Sequence, residues 1–156
     1  MAIRIVSIGK TNDDFLARSI ETYLKRIKKY AIVSWVELPD VKKKLFNTPE
    51  ELKRLEADLL LKDVRPTSFL IGLDEKGKQF TSREFANKMD HWAVSNSDLV
   101  FVIGGAFGFD QKVYNRMNTM ISLSKMTLSH QMVRLLLAEQ VYRGYSILNG
   151  EPYHND

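Results

Sequence analysis

Short strands that are apolar on both faces alternate with helical segments along this chain, and this alternation most constrains its fold. The runs SFLIGL at residues 68–73, LVFVIGG at residues 99–105 and MISLS at residues 120–124 lack the polar alternation of a half-exposed strand. Such strands occur where helices cover both faces of a parallel sheet. The sequence therefore predicts an α/β fold with a parallel-rich sheet and helices on both faces.

Capping signals and helical periodicity define the remaining elements. Thr48 stands three residues before Glu51, and Thr81 stands three residues before Glu84, so each pair forms a capping box that begins a helix. No repeat, low-complexity tract or linker interrupts the alternation, which predicts a single domain. The predicted strands are residues 3–8, 32–38, 68–73, 99–105 and 120–124, and the predicted helices are about residues 16–27, 48–64, 81–92, 112–118 and 130–145.

Several classes of protein are disfavoured by what the sequence lacks. There is no cysteine, which excludes disulfides, thiolate catalysis and cysteine-ligated zinc. No apolar run is long enough to span a membrane, and the first residues lack the order of a signal peptide, so we expect a cytoplasmic protein with no membrane partner. His-Glu-x-x-His and Gly-x-Ser-x-Gly are both absent, and we expect no metal and no serine nucleophile.

The whole chain has a formal net charge of +4, and its excess of positive charge lies in the first half. Two basic runs lie there, KRIKKY at residues 25–30 and KKK at residues 42–44. Such runs can contact a phosphate backbone, and they also occur as solvated helix faces or loops. Both interpretations remain open from the residues alone.

Ligands of parallel α/β sheets gather at the loops that leave the carboxyl ends of strands, here after Leu73, Ile103 and Leu123. The second loop carries Gly104 and Gly105, which permit close backbone approach but do not form a dinucleotide fingerprint. An ordinary tight turn is the alternative for this glycine pair.

The third loop carries polar groups between a buried strand and an apolar helix, and we expect them to face the same crevice. Alternatively Ser129 caps the helix while Met126 and Met132 fill the core. Glu139 and Arg143 stand four residues apart on that last helix, as an exposed ion pair would. Because the helix is otherwise apolar, the pair is also a candidate to line a site or a subunit contact.

Three stretches carry a family resemblance: FVIGGAFGF, then LSKMTLSHQMVRLLLAEQVYRGYSI, then the terminal EPYH. Together with IRIVSIGK and YLKRIKKY in the first half, they resemble the ribosomal RNA large-subunit methyltransferase H family of the SPOUT class over essentially the whole chain, residues 1–156. The resemblance implies an S-adenosylmethionine-dependent enzyme that methylates N3 of a pseudouridine in large-subunit (23S) ribosomal RNA on assembled ribosomes. It also implies a homodimer and a C-terminal trefoil knot.

The same resemblance implies where the site lies. Two departures from the family pattern are Ser129, where proline is frequent, and the pair Phe107 and Phe109, where polar residues are frequent. The implied cofactor-binding residues are Leu73, Gly104, Gly105, Ser124, Lys125, Met126, Thr127, Leu128 and Ser129.

The chemistry of an imide acceptor suggests roles for four residues near the end of the chain. Such a nitrogen needs a general base, for which His154 is the candidate, while Tyr153 would stack on or hydrogen-bond the acceptor base. Arg143 would hold a phosphate or the developing negative charge, and Glu139 would orient Arg143. We expect the terminal segment to complete the pocket of a partner subunit, the alternative being that it packs on its own domain.

Two other functions remain open. A SPOUT methyltransferase could act on transfer RNA instead, since the pocket contacts only the cofactor and the acceptor base. A non-catalytic ribosome-binding or assembly factor could keep the same fold, although it would not need the glycine pair or the polar residues of the terminus.

Overall fold

The computed structural model describes residues 2–156, and its elements alternate as the sequence predicts. A single 3₁₀ turn at Lys43–Leu45 follows the second strand. The strands are β1 (Ala2–Ile8), β2 (Ile32–Leu38), β3 (Phe69–Gln79), β4 (Asp98–Ile103) and β5 (Thr119–Ser122), and the helices are α1 (Asp14–Ile27), α2 (Pro49–Asp63), α3 (Ser82–Ser95), α4 (Gln111–Arg116) and α5 (Met132–Leu148).

The five strands form one sheet in the order β2-β1-β4-β3-β5, and every neighbouring pair is parallel. β4 lies at the centre, and all of its residues are buried. The predicted α/β class with a parallel sheet is therefore confirmed. Because all strands run the same way, the loops after β3, β4 and β5 meet at one edge.

Helices cover both faces of the sheet, which explains why its central strand shows no polar alternation. Phe101 packs on one face against residues of α3 and α5, and the neighbouring Val100 and Val102 pack on the other face with α2 and α4. Successive side chains of a strand point to opposite faces. Both sets must therefore be apolar in a strand that is covered twice.

One of the two predicted capping boxes is complete. The Thr81 hydroxyl accepts a hydrogen bond from the Glu84 backbone N–H, and the Glu84 carboxylate accepts one from the Thr81 N–H. Thr48 likewise accepts from the Glu51 N–H at 3.2 Å, but the Glu51 carboxylate accepts from the N–H of Asn47 rather than that of Thr48. Thr48 therefore caps α2 as predicted, but the reciprocal bond of the box is made to Asn47, one residue upstream.

Element boundaries differ from prediction mainly at β3. The strand does not end at Leu73 but continues to Gln79, with an irregularity between Leu73 and Lys78 where its register against β5 shifts. The polar run DEKG hides this continuation, since a buried parallel strand is expected to be apolar. α5 runs from Met132 to Leu148, later at both ends than predicted. No helix within residues 2–156 is long and apolar enough to cross a membrane.

Candidate active site

A cavity of about 400 Å³ lies at the carboxyl ends of β4 and β5 and beside the stretch of β3 that follows Leu73, where the sequence predicts three loops to meet. Apolar side chains from the strand ends and from the start of α5 form much of its wall. Of the predicted cofactor-binding residues, Lys125 and Ser129 do not line it. Those that do are Leu73, Gly104, Gly105, Ser124, Met126, Thr127 and Leu128.

The loop after β4 folds back on itself. The Gly108 N–H donates a hydrogen bond to the Gly105 carbonyl at 3.1 Å, and Gly108 has a φ of +79°, which favours glycine. A Cβ on Gly105 would lie 2.6 Å from Oε1 of Glu56, so a side chain there would collide with α2. A side chain at Gly105 would therefore displace the Glu56 carboxylate, whereas one at Gly104 would meet its neighbours only at 3.3 Å.

Serine side chains shape the loop between β5 and α5. The Ser122 hydroxyl donates to the Ser124 carbonyl at 2.8 Å, and the Ser124 hydroxyl accepts from the Met126 N–H at 2.9 Å. The Ser129 hydroxyl accepts from the Met132 N–H at 3.1 Å, as the alternative of a capping serine expects, although the residue that precedes α5 is Gln131, which makes no side-chain cap hydrogen bond. The other part of that alternative, that Met126 and Met132 fill the core, is wrong, because their side chains are 78% and 42% exposed.

The two phenylalanines of the glycine loop have different surroundings. Phe107 is exposed and lines the cavity, whereas Phe109 is buried and packs edge-on against Tyr114. Phe109 therefore belongs mainly to the core between α2 and α4, although it also borders the cavity, and Phe107 is the more exposed of the two.

An acidic group on the cavity wall was not predicted from sequence. Asp74 follows Leu73 directly; its carboxylate accepts hydrogen bonds from the Lys76 N–H and from the Tyr114 hydroxyl. Burial, and then Asp74 itself, raise the pKa of Tyr114 to about 12, so this hydroxyl stays protonated and continues to donate. The signal available in sequence was the position of Asp74 at a predicted strand end.

Arg134 joins the start of α5 to the loop after β1. It is fully buried, and its guanidinium donates to the carbonyls of Ile8 and Gly9 at 2.7 and 2.9 Å. Its Nε donates to the His130 carbonyl, and His130 lines the cavity. Burial, and then the charge of Arg134, lower the pKa of His130, which favours a neutral imidazole on the cavity wall.

The four predicted catalytic residues form a second cluster. Arg143 donates to the Glu139 carboxylate from Nε at 2.9 Å and from Nη2 at 2.5 Å, and the Tyr153 hydroxyl donates to the same oxygen at 3.3 Å. The guanidinium lies 4.6 Å from the centre of the Tyr153 ring. The side chains of Glu139 and Arg143 are only 16% and 23% exposed, so they are not an ordinary surface ion pair.

Both nitrogens of His154 are engaged in this cluster. Nδ1 lies 3.2 Å from Nη1 of Arg143, and Nε2 lies 3.0 Å from Oδ1 of Asp156. A guanidinium can only donate, so Nδ1 is the acceptor and the ring proton lies on Nε2, facing the carboxylate. The lone pair of a neutral His154 is therefore held by Arg143.

The terminal segment packs on its own domain within one copy of the chain. Arg83 binds the Asp156 carboxylate through Nε at 2.9 Å, Tyr30 donates to Glu151 at 2.5 Å, and the ring of Tyr153 packs 4.6 Å from that of Tyr142. No residue of the cluster lines the cavity. Val133 lines the cavity ten residues before Arg143 on α5, which corresponds to about 15 Å along the helix axis.

Comparison with known proteins adds the family. The model of a family described as predicted SPOUT methyltransferase matches residues 1–154. The chain belongs to the SPOUT methyltransferase family. Membership implies that the C-terminal segment is threaded into a trefoil knot, an arrangement that general topology rules would exclude.

Members of the SPOUT methyltransferase family from several bacteria align along the whole chain. A protein of Bacteroides fragilis is 41% identical over 157 residues, with 100% of both chains covered. One from Clostridium botulinum is 42% identical over 163 residues, with 99% of both covered, and one from Parabacteroides distasonis is 41% identical with 100% covered. Each carries the name ribosomal RNA large subunit methyltransferase H. Within residues 2–156 no cluster of three or more His, Cys, Asp or Glu side chains is placed to bind a metal.

Proposed function

We propose that this chain uses S-adenosylmethionine to methylate N3 of a pseudouridine in large-subunit ribosomal RNA, acting on assembled ribosomes in the cytoplasm. The observation that carries the proposal is the full-length similarity, at 41 to 42% identity, to proteins named for methylation of that RNA. The similarity includes both the cavity and the terminal segment, so neither functional region is missing from the match.

The cavity fits S-adenosylmethionine in size and in chemistry. Its volume of about 400 Å³ lies within the usual range for ligand pockets. Leu73, Ile103 and Leu128 offer apolar contact for an adenine ring, while Asp74 offers a carboxylate for the hydroxyls or the positive charge of the cofactor. Gly104, Gly105 and Gly108 of this loop line the cavity and carry no side chain that would keep a ligand from their backbone.

The protein must chiefly position the reactants. When bound, S-adenosylmethionine supplies an activated methyl group, so neither a metal nor a covalent nucleophile is needed. His154 would take the imide proton of the acceptor, after its Nδ1 exchanges the hydrogen bond from Arg143 for one from the acceptor N–H. Arg143 would then be free to stabilise the negative charge that develops on the base, with Glu139 fixing its orientation.

A second copy of the chain would bring the two parts of the site together. The cluster around Arg143 and the cavity lie about 15 Å apart along α5, too far for one acceptor base to contact both within one copy. A homodimer in which each cluster faces the cavity of the other copy removes this gap. Phe107 and Met126 are exposed at the cavity and would be covered in such a dimer.

The basic run of α1 adjoins the cluster and offers a contact for RNA. The guanidinium of Arg26 lies 5.4 Å from the ring centre of Tyr23 and 5.5 Å from that of Tyr142. Tyr23 in turn shares a hydrogen bond with Tyr153. Phosphates beside the acceptor base would therefore meet Arg26 and the lysines that follow it.

Methyl transfer to defined RNA substrates tests the proposal. Labelled S-adenosylmethionine would be incubated with assembled ribosomes, separated large subunits and bulk transfer RNA, all from cells that lack the activity. We expect label mainly in assembled ribosomes, as methylpseudouridine. Label in transfer RNA would assign a different substrate, and cofactor binding without transfer to any of the three would favour a non-catalytic ribosome-binding role.

A further inference from the structure

A buried carboxyl group lies directly behind the glycine loop. Glu56 of α2 is only 9% exposed, and its Oε1 lies 2.6 Å from where a Cβ on Gly105 would stand. Glu56 does not line the large cavity; it faces a separate space of about 10 Å³, bordered also by Gly104 and Gly108. The loop that walls the cofactor cavity is thus backed by a carboxyl group.

This carboxyl has no protein partner, although its oxygens still reach solvent, since neither is among the fully buried unpaired side-chain atoms of residues 2–156. Within residues 2–156 no group donates a hydrogen bond to it and no cation forms an ion pair with it, although Lys53 borders the same small space. Carboxylates of this burial are rare unless they are paired. Burial of this kind disfavours the ionised form of the carboxyl.

The charged groups around Glu56 come from three elements. Lys53 lies one turn earlier on α2, Asp40 lies in the loop after β2, and Asp110 caps α4 and borders the small space. The glycine loop itself carries no charge. Burial and then the charge of Asp40 raise the pKa of Glu56 to about 7, so both protonation states are populated near neutrality.

We propose that Glu56 is a proton-linked specificity residue, which makes the cavity prefer a positively charged occupant over a neutral one of the same shape. The inference rests on the proposed function, because the methyl donor carries a sulfonium charge that the thioether product, S-adenosylhomocysteine, has lost. Only the thickness of the glycine loop separates Glu56 from the cavity, since Gly104 and Gly108 border both spaces, so a charge in the cavity would act on Glu56 across a short path through protein.

Protonation of Glu56 then follows the charge of the occupant. Glu56 gives its proton to solvent when a cation enters the cavity, and takes one back from solvent when the occupant is neutral. It is a positioning and specificity group rather than the base of the reaction, since the loop separates it from any acceptor. The imide proton leaves through a different residue.

Proton counting during binding tests the proposal without any turnover. Calorimetric titrations with S-adenosylmethionine and with S-adenosylhomocysteine would be run at about pH 7 in buffers of different ionisation enthalpy. If the pKa of Glu56 falls by one unit, the donor releases about 0.4 proton more per site than the product. The preference for donor over product then rises up to about tenfold as pH increases through neutrality.

Three variants test whether Glu56 is the group responsible for the difference in proton release. Glu56→Gln mimics the protonated form, so we expect the difference in proton release to vanish and the preference for the donor to stay at its low-pH value. Asp40→Asn removes the neighbouring charge and should move the pH midpoint of the preference downward. Asp58→Asn is the matched control, an exposed carboxylate two residues on in α2 that pairs with Lys112, and it should behave like the wild type.

Each result of these titrations either supports or overturns the role of Glu56. Equal proton release with both ligands in the wild type overturns the proposal, and so does a difference that persists in Glu56→Gln, which would assign it to His130 on the cavity wall. If Glu56→Gln does not fold, the wild-type proton count still shows whether any group is linked to the charge of the ligand. Loss of the difference in His130→Gln would then assign it to His130 and overturn the role of Glu56, because Asp40 raises the pKa of both groups and Asp40→Asn cannot separate them. Failure of both ligands to bind would overturn the proposed function itself, whereas binding with no proton difference would overturn only the role of Glu56.

Discussion

Glu139 and Glu56 are two carboxyl groups with opposite surroundings. Glu139 accepts hydrogen bonds from Arg143, Tyr153 and Gln140, and so anchors a cluster. Glu56 accepts none from any group within residues 2–156 and lies against the backbone of Gly105. Removal of the negative charge should therefore have opposite consequences at the two positions, a loss of organisation at Glu139 and a relief of unfavourable burial at Glu56.

Substitution of Glu56 by glutamine should stabilise the fold at neutral and alkaline pH. The folded pKa, about 7, exceeds the ordinary value of 4.5, so the unfolded chain gives up this proton first and wild-type stability falls as pH rises between these values. We expect Glu56→Gln to match the wild type near pH 4.5 and to exceed it by about 2–3 kcal/mol above pH 8. Urea unfolding across this pH range at fixed protein concentration measures the difference; a constant difference would show that the charge is not its cause.

Substitution of His154 by alanine should affect catalysis and not cofactor binding. Because His154 does not line the cavity, affinity for S-adenosylmethionine should stay within about twofold, whereas loss of a general base typically lowers the rate by about 10²–10⁴. Single-turnover methyl transfer and calorimetry measure the two effects. His91→Ala, an exposed histidine of α3, is the control. Equal loss of affinity and rate would contradict the role of a base.

At the scale of elements, the sequence predicts best where local and tertiary preferences agree. The central strand β4 is apolar on both faces and buried on both, and the capping box at Thr81 and Glu84 forms in full. The sequence predicts too short a β3, because the polar run DEKG is typical of a loop. The strand continues beyond this run and pairs with β5. A register shift depends on the partner strand, so local residues do not reveal it.

The candidate site could be predicted only in part, because some of its features follow from local sequence and others depend on tertiary contacts. The three loops at the sheet edge follow from strand direction, but Glu56 resembles any solvated residue of a polar helix, and its burial depends on contact with Gly105. One alternative from sequence was that Met126 fills the core, since an apolar side chain usually lies there, whereas the fold exposes it at the cavity, where the family resemblance also places it. In both cases, contacts between distant segments of the chain determine whether the side chain is buried or exposed.

Two glycines in different elements should respond differently to alanine. At Gly77 in β3 a Cβ would lie 2.5 Å from the backbone carbonyl carbon of Ile121 in β5, and backbone there cannot move aside. At Gly144 in α5 it would meet only the flexible end of Met89. We expect Gly77→Ala to cost about 1–3 kcal/mol, as overpacking does. For Gly144→Ala we expect less than about 1 kcal/mol, because alanine also favours the helix.

Thermal and urea unfolding of both variants measure these costs. The position of Gly77 beside the cavity adds a second expectation, that Gly77→Ala weakens cofactor binding while Gly144→Ala does not. Equal stability of the two variants would show that β3 and β5 can separate at this point without cost.

In the molecule as a whole, the distance between the cavity and the cluster around Arg143 is the feature that most constrains how the two could act together. One copy of the chain holds a complete cavity at the start of α5 and a complete polar cluster near its end, with about 15 Å of helix between them. In a two-fold dimer, the cavity of each copy would face the polar cluster of the other copy. The dimer would therefore contain two composite sites, each made of one cavity and one cluster. The terminal segment would then need only to hold its own cluster in shape, as its contacts with Tyr142 and Arg83 do.

Mixed dimers distinguish a composite site from two sites contained within single copies. Ala106→Trp would fill the cavity from an exposed loop position, and His154→Ala would remove the base, so each variant alone should be inactive. If the copies exchange, an equal mixture forms about half mixed dimers, each with one cavity and one His154 intact and facing each other. Activity should then return to about a quarter of the wild-type value. A mixture that exchanges subunits and stays inactive would place both halves of the reaction within one copy, and the terminal segment would have to move across its own α5 to reach the cavity.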